Sequence, residues 1–387
     1  MRLFGVKPVR IAVVASVIAR YDGISIAVRD TVRALREAGG FDVSAFTPRS
    51  DFPDLGAHQV SDSGALRAHR AFRSADLHIY HFGIFSPLFE AIGASDRRAR
   101  QIVAFHNVSP PECVAPHQRP LIEQSLRQMK SLRHADRLWA ESPTSVDALA
   151  AQGIDSENVD VIPPAVDRPP TATLDGKVAP PVRILFVGRL VQAKGVLDLI
   201  EAIDLARQRT AVPFRLDIAG NEDFSDAAYA AEAKAAVARR GLSAHVQFLG
   251  AVEDARLDEL YRAAHLLAIP SYHEGFCRPV IEGLRAGCVP VGYAAYNLPH
   301  VAQGLGRMVP TGNLGALAAA LVELIAALAR TSGGAGSRLL PLDAGLLSPA
   351  AFDAAAQSYV RDFTFERVAT QKISSVRVLL SRRRRTA

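Results

Sequence analysis

Two cations stand close together in a loop that follows a predicted strand. The strand Val182–Val187 ends at Gly188, Arg189 follows at once, and Lys194 with Gly195 comes just before a predicted helix. A guanidinium fork, an ammonium group and the free N–H groups of a helix start together suit a diphosphate. The alternative is that both side chains are ordinary solvated surface groups. The spacing therefore suits a diphosphate site, but these two cations alone do not distinguish such a site from ordinary surface, and a second motif is needed.

A second motif begins at Ser271 and runs into a helix. The strand Leu266–Ile269 leads into it, and Glu274 and Glu282 bracket the start of the predicted helix Pro279–Ala286. Two carboxylates placed in this way could accept hydrogen bonds from hydroxyls at both ends of a nucleotide sugar. Backbone N–H groups between them could meet phosphate. The alternative is that Glu274 caps the helix and Glu282 is a surface charge.

The elements that must position these motifs alternate between short apolar strands and helices. In the first half the predicted strands are Ile11–Ala19, Phe41–Thr47, Asp76–His81, Gln101–His106, Leu138–Ala140 and Val159–Ile162, and the clearest helices are Ile24–Ala38 and Leu121–His134. The second half repeats the rhythm from Val182 onward. Such alternation predicts parallel sheets covered by helices, with ligands at the carboxyl ends of the strands.

The length of 387 residues exceeds what one core serves, and 49% hydrophobic residues suffice for two cores. We predict an α/β fold with two Rossmann-like domains, at 1–168 and 182–350, whose parallel sheets face each other across a cleft. The proline-rich segment 169–181 is predicted to be the linker between them. Residues 351–387 are predicted to form a C-terminal helix with a basic tail, and Thr331–Leu346 is predicted to be a loop.

The N-terminal apolar run Ile11–Ala19 follows three basic residues and therefore resembles the start of a signal peptide. A loop and a helical pattern follow it at once, which favours a buried first strand. No stretch combines the length and the lack of charge that a membrane-spanning helix needs. The cysteines Cys113, Cys277 and Cys288 form no metal or CxxC spacing. Their pattern predicts a cytoplasmic protein.

The net charge of +6 is concentrated at the C-terminus. Seven basic residues and no acidic residue follow Glu366: Arg367, Lys372, Arg377, Arg382, Arg383, Arg384 and Arg385. Subtracting these seven leaves a charge of −1 on the rest of the chain, which argues against a nucleic-acid partner. The tail is predicted either to contact an anionic membrane surface, at the inner face of the membrane, or to be a solvated terminus.

The two motifs resemble the signatures of the retaining glycosyltransferases with the GT-B fold, glycosyltransferase family 4. Glu274 and Glu282 match the E-x7-E motif of that family, and Gly188-Arg189 with Lys194-Gly195 matches its second signature. Three further stretches are similar to members that build bacterial surface polysaccharides, namely Asp22–Ser25, Ile79–Ile84 and Phe105–Glu112. The resemblance covers most of the chain and implies that the C-terminal helix crosses back to the N-terminal domain.

The resemblance also implies roles for individual residues. Arg189 and Lys194 would hold the donor diphosphate, Glu274 would meet donor-sugar hydroxyls, and Glu282 would accept bonds from the ribose. The other implied donor-binding residues are Gly23, Gly188, Gly250, Gly275, Phe276 and Cys277. His106 would lie near the sugar across the cleft, and the implied acceptor-side residues are Asp22, His81 and Asn107. The alternative for His106 is a structural histidine at a strand end.

The sequence departs from the family pattern in three places. The first loop has one glycine where many members have two, and Cys277 stands where glycine is frequent. The segment Tyr293–His300 keeps only Pro299 of a common pattern of paired glycines before proline. These departures bear on the fit around the donor sugar or the acceptor more than on diphosphate binding.

The resemblance implies an enzyme that moves a hexose from GDP-mannose or a UDP-sugar to a glycan or lipid-linked acceptor in surface polysaccharide synthesis. It implies retention of the anomeric configuration by front-face attack. The chain contains no DxD motif, so we expect neither a metal nor another cofactor. The alternatives are a sugar phosphorylase, a nucleotide-sugar epimerase and a non-catalytic partner subunit. A missing G-x-G-x-x-G after the first strand disfavours an NAD-dependent dehydrogenase.

Overall fold

The computed structural model describes residues 7–20, 22–94, 98–166, 172–221, 225–330 and 339–382, and its contacts divide the chain into two units. Unit 1 consists of Met1–Pro111, His117–Ala165 and Phe363–Ala387. Unit 2 consists of Glu112–Pro116 and Val166–Asp362. Each unit is an α/β structure around a parallel sheet, as the sequence predicts.

The sheet of unit 1 has seven parallel strands in the order β3-β2-β1-β4-β5-β6-β7. Its strands are β1 (Val9–Ala15), β2 (Phe41–Thr47), β3 (His58–Gln59), β4 (Leu77–Phe82), β5 (Arg100–Phe105), β6 (Arg137–Ala140) and β7 (Val159–Val161). The helices between them are α1 (Gly23–Glu37), α2 (Ser63–Ala68), α3 (Arg70–Arg73), α4 (Arg119–Met129) and α5 (Pro143–Ala150). The N-terminal apolar run is therefore a strand with a neighbour on each side, which confirms that prediction.

The core of unit 1 forms because apolar residues recur at helical spacing over a buried sheet. Val28, Val32 and Leu35 of α1 lie on one helix face and are at most 1% exposed. The last helix of the structure, Phe365–Arg382, packs on α1 and adds Val368 to the same core. The predicted return of a C-terminal helix to the first domain is thus confirmed.

Polar contacts, in addition to apolar packing, hold this C-terminal helix in unit 1. The indole Nε1 of Trp139 donates to Ser375 Oγ at 2.9 Å, and Ser375 in turn donates to Asp160 at 2.6 Å. Lys372 Nζ donates to Thr31 Oγ1 at 2.9 Å. Because these groups are buried or half-buried, losing one partner would leave a polar atom without its hydrogen bond.

The main sheet of unit 2 has six parallel strands in the order β10-β9-β8-β11-β12-β13. Its strands are β8 (Val182–Val187), β9 (Phe214–Ala219), β10 (Val246–Gly250), β11 (Leu266–Ile269), β12 (Val289–Tyr293) and β13 (Arg307–Val309). Its helices are α6 (Val196–Arg207), α7 (Ala227–Arg239), α8 (Asp254–Ala263), α9 (Arg278–Arg285), α10 (Leu298–Ala302), α11 (Leu314–Ala329) and α12 (Pro349–Val360). The helix Phe365–Arg382 of unit 1 is then α13.

Both sheets follow the strand order of a doubly wound fold. The direction of progress reverses between β1 and β4 in unit 1 and between β8 and β11 in unit 2. At such a reversal the loops leave the carboxyl ends of two neighbouring strands in opposite directions, which opens a crevice for ligands. Each unit therefore presents its own candidate crevice.

The structure differs from the predicted division of the chain at three places. The predicted loop ends in an antiparallel hairpin of β14 (Leu340–Leu342) and β15 (Gly345–Leu347). The predicted C-terminal helix is two helices, of which α12 belongs to unit 2 and only α13 to unit 1. The segment from Val166 onward also belongs to unit 2, because its backbone finds partners there: Asp353 accepts from the N–H groups of Leu174 and Asp175.

The predicted helix Leu121–His134 is α4 followed by a 3₁₀ turn through His134. The basic cluster Arg383–Arg385 lies outside the described residues, so its membrane contact stays a prediction. Within the described part of the chain, no helix has both the length and the apolar character required to cross a membrane.

Candidate functional site

The crevice of unit 2 holds both sequence motifs, because β8 and β11 are neighbours in its sheet. Gly188 follows β8, and its N–H group donates to Ala219 O at 3.0 Å. Arg189 comes next and is exposed. No described carboxylate forms an ion pair with Arg189, so its guanidinium is open to a ligand.

A close backbone contact joins the two motifs. Gly195 has φ +63° and a Cβ added there would lie 2.0 Å from Pro270 O, so only glycine fits. The N–H group of Tyr272 donates to Ala193 O at 2.8 Å in the same region. The start of α6 is thereby pressed against the loop after β11.

Lys194 and Glu274 form an ion pair across this contact. Lys194 Nζ lies 2.6 Å from Glu274 Oε1, and Ser271 Oγ donates to the same oxygen at 2.8 Å. Burial raises the pKa of Glu274, but the Lys194 ammonium and the two hydrogen bonds outweigh burial and leave this pKa below its ordinary value. Glu274 is therefore ionised and Lys194 neutralises it.

Glu282 lies in α9 and has two neighbours of its own. Tyr261 donates its hydroxyl to Glu282 Oε2 at 2.9 Å, and a guanidinium nitrogen of Arg278 lies 3.9 Å from Oε1. These contacts hold the carboxylate in one orientation. Its contact with a ribose stays a prediction.

Cys277 and Phe276 form the turn into α9, just after Gly275. Cys277 is the N-cap of α9 with φ +75°, in the left-handed region that glycine favours. This conformation gives a physical reason for the frequent glycine at this position in the family. Phe276 O accepts from Asn297 Nδ2 at 3.1 Å, and burial raises the pKa of the Cys277 thiol well above its ordinary value.

The remaining glycines of the site differ in what their conformations require. Gly250 ends β10 with φ +65°, whereas Gly23 has ordinary backbone geometry at the start of α1. A Cβ added at either position would meet no atom of a more distant residue within 4 Å. The donor contacts of both glycines stay predictions.

One cluster beside the site was missed by the sequence analysis. Tyr272 and Tyr293 both donate their hydroxyls to Asp198 Oδ2, each at 2.6 Å. Burial and then the Asp198 carboxylate raise the pKa of Tyr272 to about 12. Asp198 lies in the first turn of α6, so the cluster ties the helix that follows Lys194 to two strand ends. Its members lie far apart in sequence, and no local motif marks them.

The crevice of unit 1 begins with a helix cap. Asp22 Oδ2 accepts from the N–H group of Ser25 at 2.8 Å and from its hydroxyl at 2.6 Å. Ser25 Oγ also accepts from Ala19 N at 2.9 Å. The structure thus gives Asp22 a capping function for α1, and its acceptor-side role stays a prediction.

Three side chains, one near the end of β4 and one just after each of β5 and β6, form a hydrogen-bonded chain. Glu141 Oε1 lies 2.6 Å from His106 Nδ1, and His106 Nε2 lies 2.9 Å from His81 Nδ1. The structure thus brings the predicted His106 and His81 together. Asn107 beside them has φ +65° and accepts from the N–H group of Val108 at 2.9 Å. The role of Glu141 was missed, although it lies at a strand end, where such side chains meet.

The Glu141 carboxylate accepts from His106 Nδ1–H, and His106 Nε2 shares one hydrogen bond with His81 Nδ1. His81 Nε2 is buried and has no described partner. Burial lowers the pKa of His81 well below its ordinary value, and repulsion from His106 and Lys372 lowers this pKa further.

Both ring nitrogens of His106 are therefore engaged within unit 1. Direct contact of His106 with a ligand requires one of these bonds to open. Among the described residues no group of three or more His, Cys, Asp or Glu side chains is arranged to hold a metal ion.

Two family models match the sequence. The model described as "Glycosyltransferase Family 4" matches residues 21–168, and the model described as "Glycosyl transferases group 1" matches residues 176–328. The first match covers most of the strands of unit 1. The second covers the whole parallel sheet of unit 2, including both sequence motifs.

Two curated relatives match part of the chain. A D-inositol 3-phosphate glycosyltransferase from Nocardia farcinica is 30% identical over 199 residues, which are 49% of this chain and 44% of that protein. A GDP-mannose:cellobiosyl-diphosphopolyprenol alpha-mannosyltransferase from Xanthomonas campestris is 29% identical over 223 residues, 57% of this chain and 56% of that protein. The chain thus matches about half the length of each relative.

Among solved structures, the sucrose-phosphate synthase from Thermosynechococcus elongatus is similar over nearly the whole chain. It superposes with a TM-score of 0.72 at 20% identity and covers 96% of this chain and 99% of its own. At that identity the likeness establishes a common fold.

Proposed function

The chain belongs to the GT-B glycosyltransferases of family 4, and we propose that it transfers a hexose from a nucleotide diphosphate sugar to a glycan or lipid-linked acceptor. One observation carries the proposal: Lys194 and Glu274, one from each motif, form a 2.6 Å ion pair at the start of α6. The pair lies at the strand reversal of unit 2, where ligands of this fold bind.

The charges of this site suit a diphosphate leaving group. Lys194 is neutralised by Glu274, so Arg189 supplies the positive charge that has no described partner. The N-terminal ends of the α6 and α9 helix dipoles add partial positive charge. As the glycosyl–phosphate bond breaks, negative charge grows on the diphosphate, and fixed donors stabilise it without having to reorganise.

We propose GDP-mannose as the donor and surface polysaccharide synthesis as the process. The support is the similarity to the GDP-mannose:cellobiosyl-diphosphopolyprenol alpha-mannosyltransferase from Xanthomonas campestris. A UDP-sugar is the competing donor.

We further propose retention by front-face attack without a metal ion. The acceptor hydroxyl would approach from the side of the leaving group, and a phosphate oxygen would help to remove its proton. No second carboxylate then has to lie beneath the sugar, unlike in most retaining hydrolases. A product of inverted anomeric configuration, or activity that chelator abolishes and only Mg²⁺ or Mn²⁺ restores, would contradict this part.

Thermal melting tests the donor site first. Wild type, Arg189→Ala and the control Arg209→Ala would be melted with UDP, GDP, ADP and their sugars. Arg209 is an exposed arginine of unit 2 outside the motifs. We expect GDP to raise the melting temperature of wild type and Arg209→Ala but not of Arg189→Ala. Equal shifts in both variants would remove Arg189 from the site.

The place of the protein in the cell is a separate proposal. We propose that it works in the cytoplasm and contacts the anionic membrane surface through Arg382–Arg385. Deletion of these residues is expected to lower binding to anionic vesicles. Unchanged binding would remove the membrane contact and leave the transferase proposal as it is.

A further inference from the structure

A basic cavity lies in unit 1, apart from every residue assigned to sugar transfer. It has a volume of about 780 Å³ and is lined by residues of α2, α3, β4 and β5 and of the loop before β5. Four arginines stand among the lining residues: Arg67, Arg70, Arg73 and Arg98. A cavity of this size accommodates a small-molecule ligand.

The cavity lies toward the opposite end of the strands from the candidate crevice. Its floor includes His78 and Gln101, which are register partners near the starts of β4 and β5. His81 stands three residues further along β4, a distance of about 10 Å at the rise of a parallel strand. A ligand in the cavity and a ligand at the carboxyl ends would therefore occupy separate places.

Buried side chains with stacking and hydrogen-bond partners form the floor of the cavity. His78 is 6% exposed and Gln101 is 1% exposed. The His78 ring stacks on Phe72 with centroids 3.9 Å apart, and its Nε2 lies 3.0 Å from Phe72 O. Gln101 Oε1 accepts from the N–H group of Gly93 at 3.1 Å. These contacts fix the shape beneath the arginines.

Most of the positive charge of the cavity is uncompensated within the described residues. Arg70, Arg73 and Arg98 are exposed and form no ion pair with any described carboxylate. The described lining includes no aspartate or glutamate. Residues 95–97, which precede Arg98, add one acidic and one basic residue in sequence and hence no net charge. Guanidinium groups bind phosphate through paired N–H donors, which makes phosphate the matching anion.

We propose that this cavity binds a phosphate-bearing anion, supplied either by a soluble phosphorylated compound or by the headgroup of a lipid. Like charges around one cavity repel each other in the empty protein, and a bound phosphate replaces that repulsion with charge-assisted hydrogen bonds. The apolar part of the lining, including Phe72 and Ala91, leaves room for the organic part of such a ligand.

Calorimetric titration with inorganic pyrophosphate tests the site in the full chain. Arg189→Ala serves as the background, because it removes the proposed anion-binding charge of the donor site. Binding is expected to persist in Arg189→Ala and to weaken by about tenfold for each of Arg70→Ala and Arg73→Ala added to it. The control is Arg127→Ala, a 69% exposed arginine of α4 outside the cavity, which should leave binding unchanged.

Absence of pyrophosphate binding in Arg189→Ala would overturn the proposal, as would equal binding when Arg70→Ala and Arg127→Ala are each added to that background. Melting curves check that each variant is folded. The result does not depend on the donor site, because that site is tested separately with nucleotides and Arg189→Ala.

Vesicles distinguish the two sources of phosphate. Wild type and Arg70→Ala/Arg73→Ala would be sedimented with phosphatidylcholine vesicles, with and without phosphatidylglycerol. Sedimentation with phosphatidylglycerol that is weaker in the variant than in wild type, with the tail Arg382–Arg385 intact in both, would support the lipid headgroup. Sedimentation that is equal in both, together with the loss of pyrophosphate binding, would support a soluble phosphorylated compound.

Discussion

The crevices of the two units share one strand order and differ in their electrostatics. In unit 2 an ion pair, Lys194 with Glu274, stands beside the open guanidinium of Arg189. In unit 1 a hydrogen-bonded chain of two imidazoles ends on Glu141, and both ring nitrogens of His106 are engaged. The fold therefore supplies the place for a ligand, while the side chains at the strand ends decide whether a charged group is left open to it.

The largest expected effect tests whether the charged pair Lys194–Glu274 distinguishes the crevice of unit 2 from that of unit 1. Lys194→Ala should lower kcat/KM by about 10²–10³-fold, the usual loss when one fixed donor to a developing anion is removed. The same change leaves Glu274 buried without its cation, so the melting temperature should fall as well. The double variant Lys194→Ala/Glu274→Gln should recover stability but not rate. Recovery of both would make the pair a structural feature only.

The second effect concerns the close backbone contact between Gly195 and Pro270 in unit 2. Gly195→Ala would place Cβ 2.0 Å from Pro270 O and should cost about 3 kcal/mol of unfolding free energy or more. Gly250→Ala is the matched control, since its φ is also positive but its surroundings are open. It should cost about 1–2 kcal/mol. Urea titration measures both, and equal losses would show that the Pro270 contact relaxes freely.

The third effect probes the hydrogen-bonded chain of Glu141, His106 and His81 in unit 1. Glu141→Ala removes the acceptor for His106 Nδ1–H and should lower the unfolding free energy by about 1.5–3 kcal/mol. Glu141→Gln retains an acceptor oxygen and should cost less. Nitrogen chemical shifts of the imidazoles report the tautomers. A His106 that keeps its Nδ1 proton in Glu141→Ala would mean that another group sets the tautomer.

The last effect is a pH dependence that arises in both units and is spread over several pH units. Burial lowers the pKa of His273 from 6.5 to about 4, and burial also lowers the pKa of His81. The unfolded chain therefore binds more protons below pH 6.5 than the folded chain does. The unfolding free energy should fall with acidification, by about 1.4 kcal/mol per pH unit for each histidine at most.

His273→Gln should flatten this dependence between pH 6.5 and about 4, the window that His273 itself spans. Melting temperatures across that window measure it. A dependence as steep as in wild type would assign the acid sensitivity to His81 and other groups instead.

The sequence predicted what is local and missed what depends on strand order. Apolar runs and helix-stop glycines marked most strands, and the two motifs were correctly placed after β8 and β11. That these strands are neighbours, which lets Lys194 reach Glu274, follows only from the fold. The Asp198 cluster was missed for the same reason. The hairpin β14–β15 was missed because its short strands follow a stretch of small residues that is typical of a loop.

The return of α13 has a consequence for how the chain matures during synthesis. All of unit 2 precedes Phe363, whereas unit 1 needs α13 to cover its core and to provide Ser375 for Trp139. Domains ordinarily fold in the order in which they emerge from the ribosome. Here unit 1, most of which is synthesised first, is completed last. A nascent chain stopped after Asp362 would hold a finished unit 2 and a unit 1 with its apolar surface still open to chaperones.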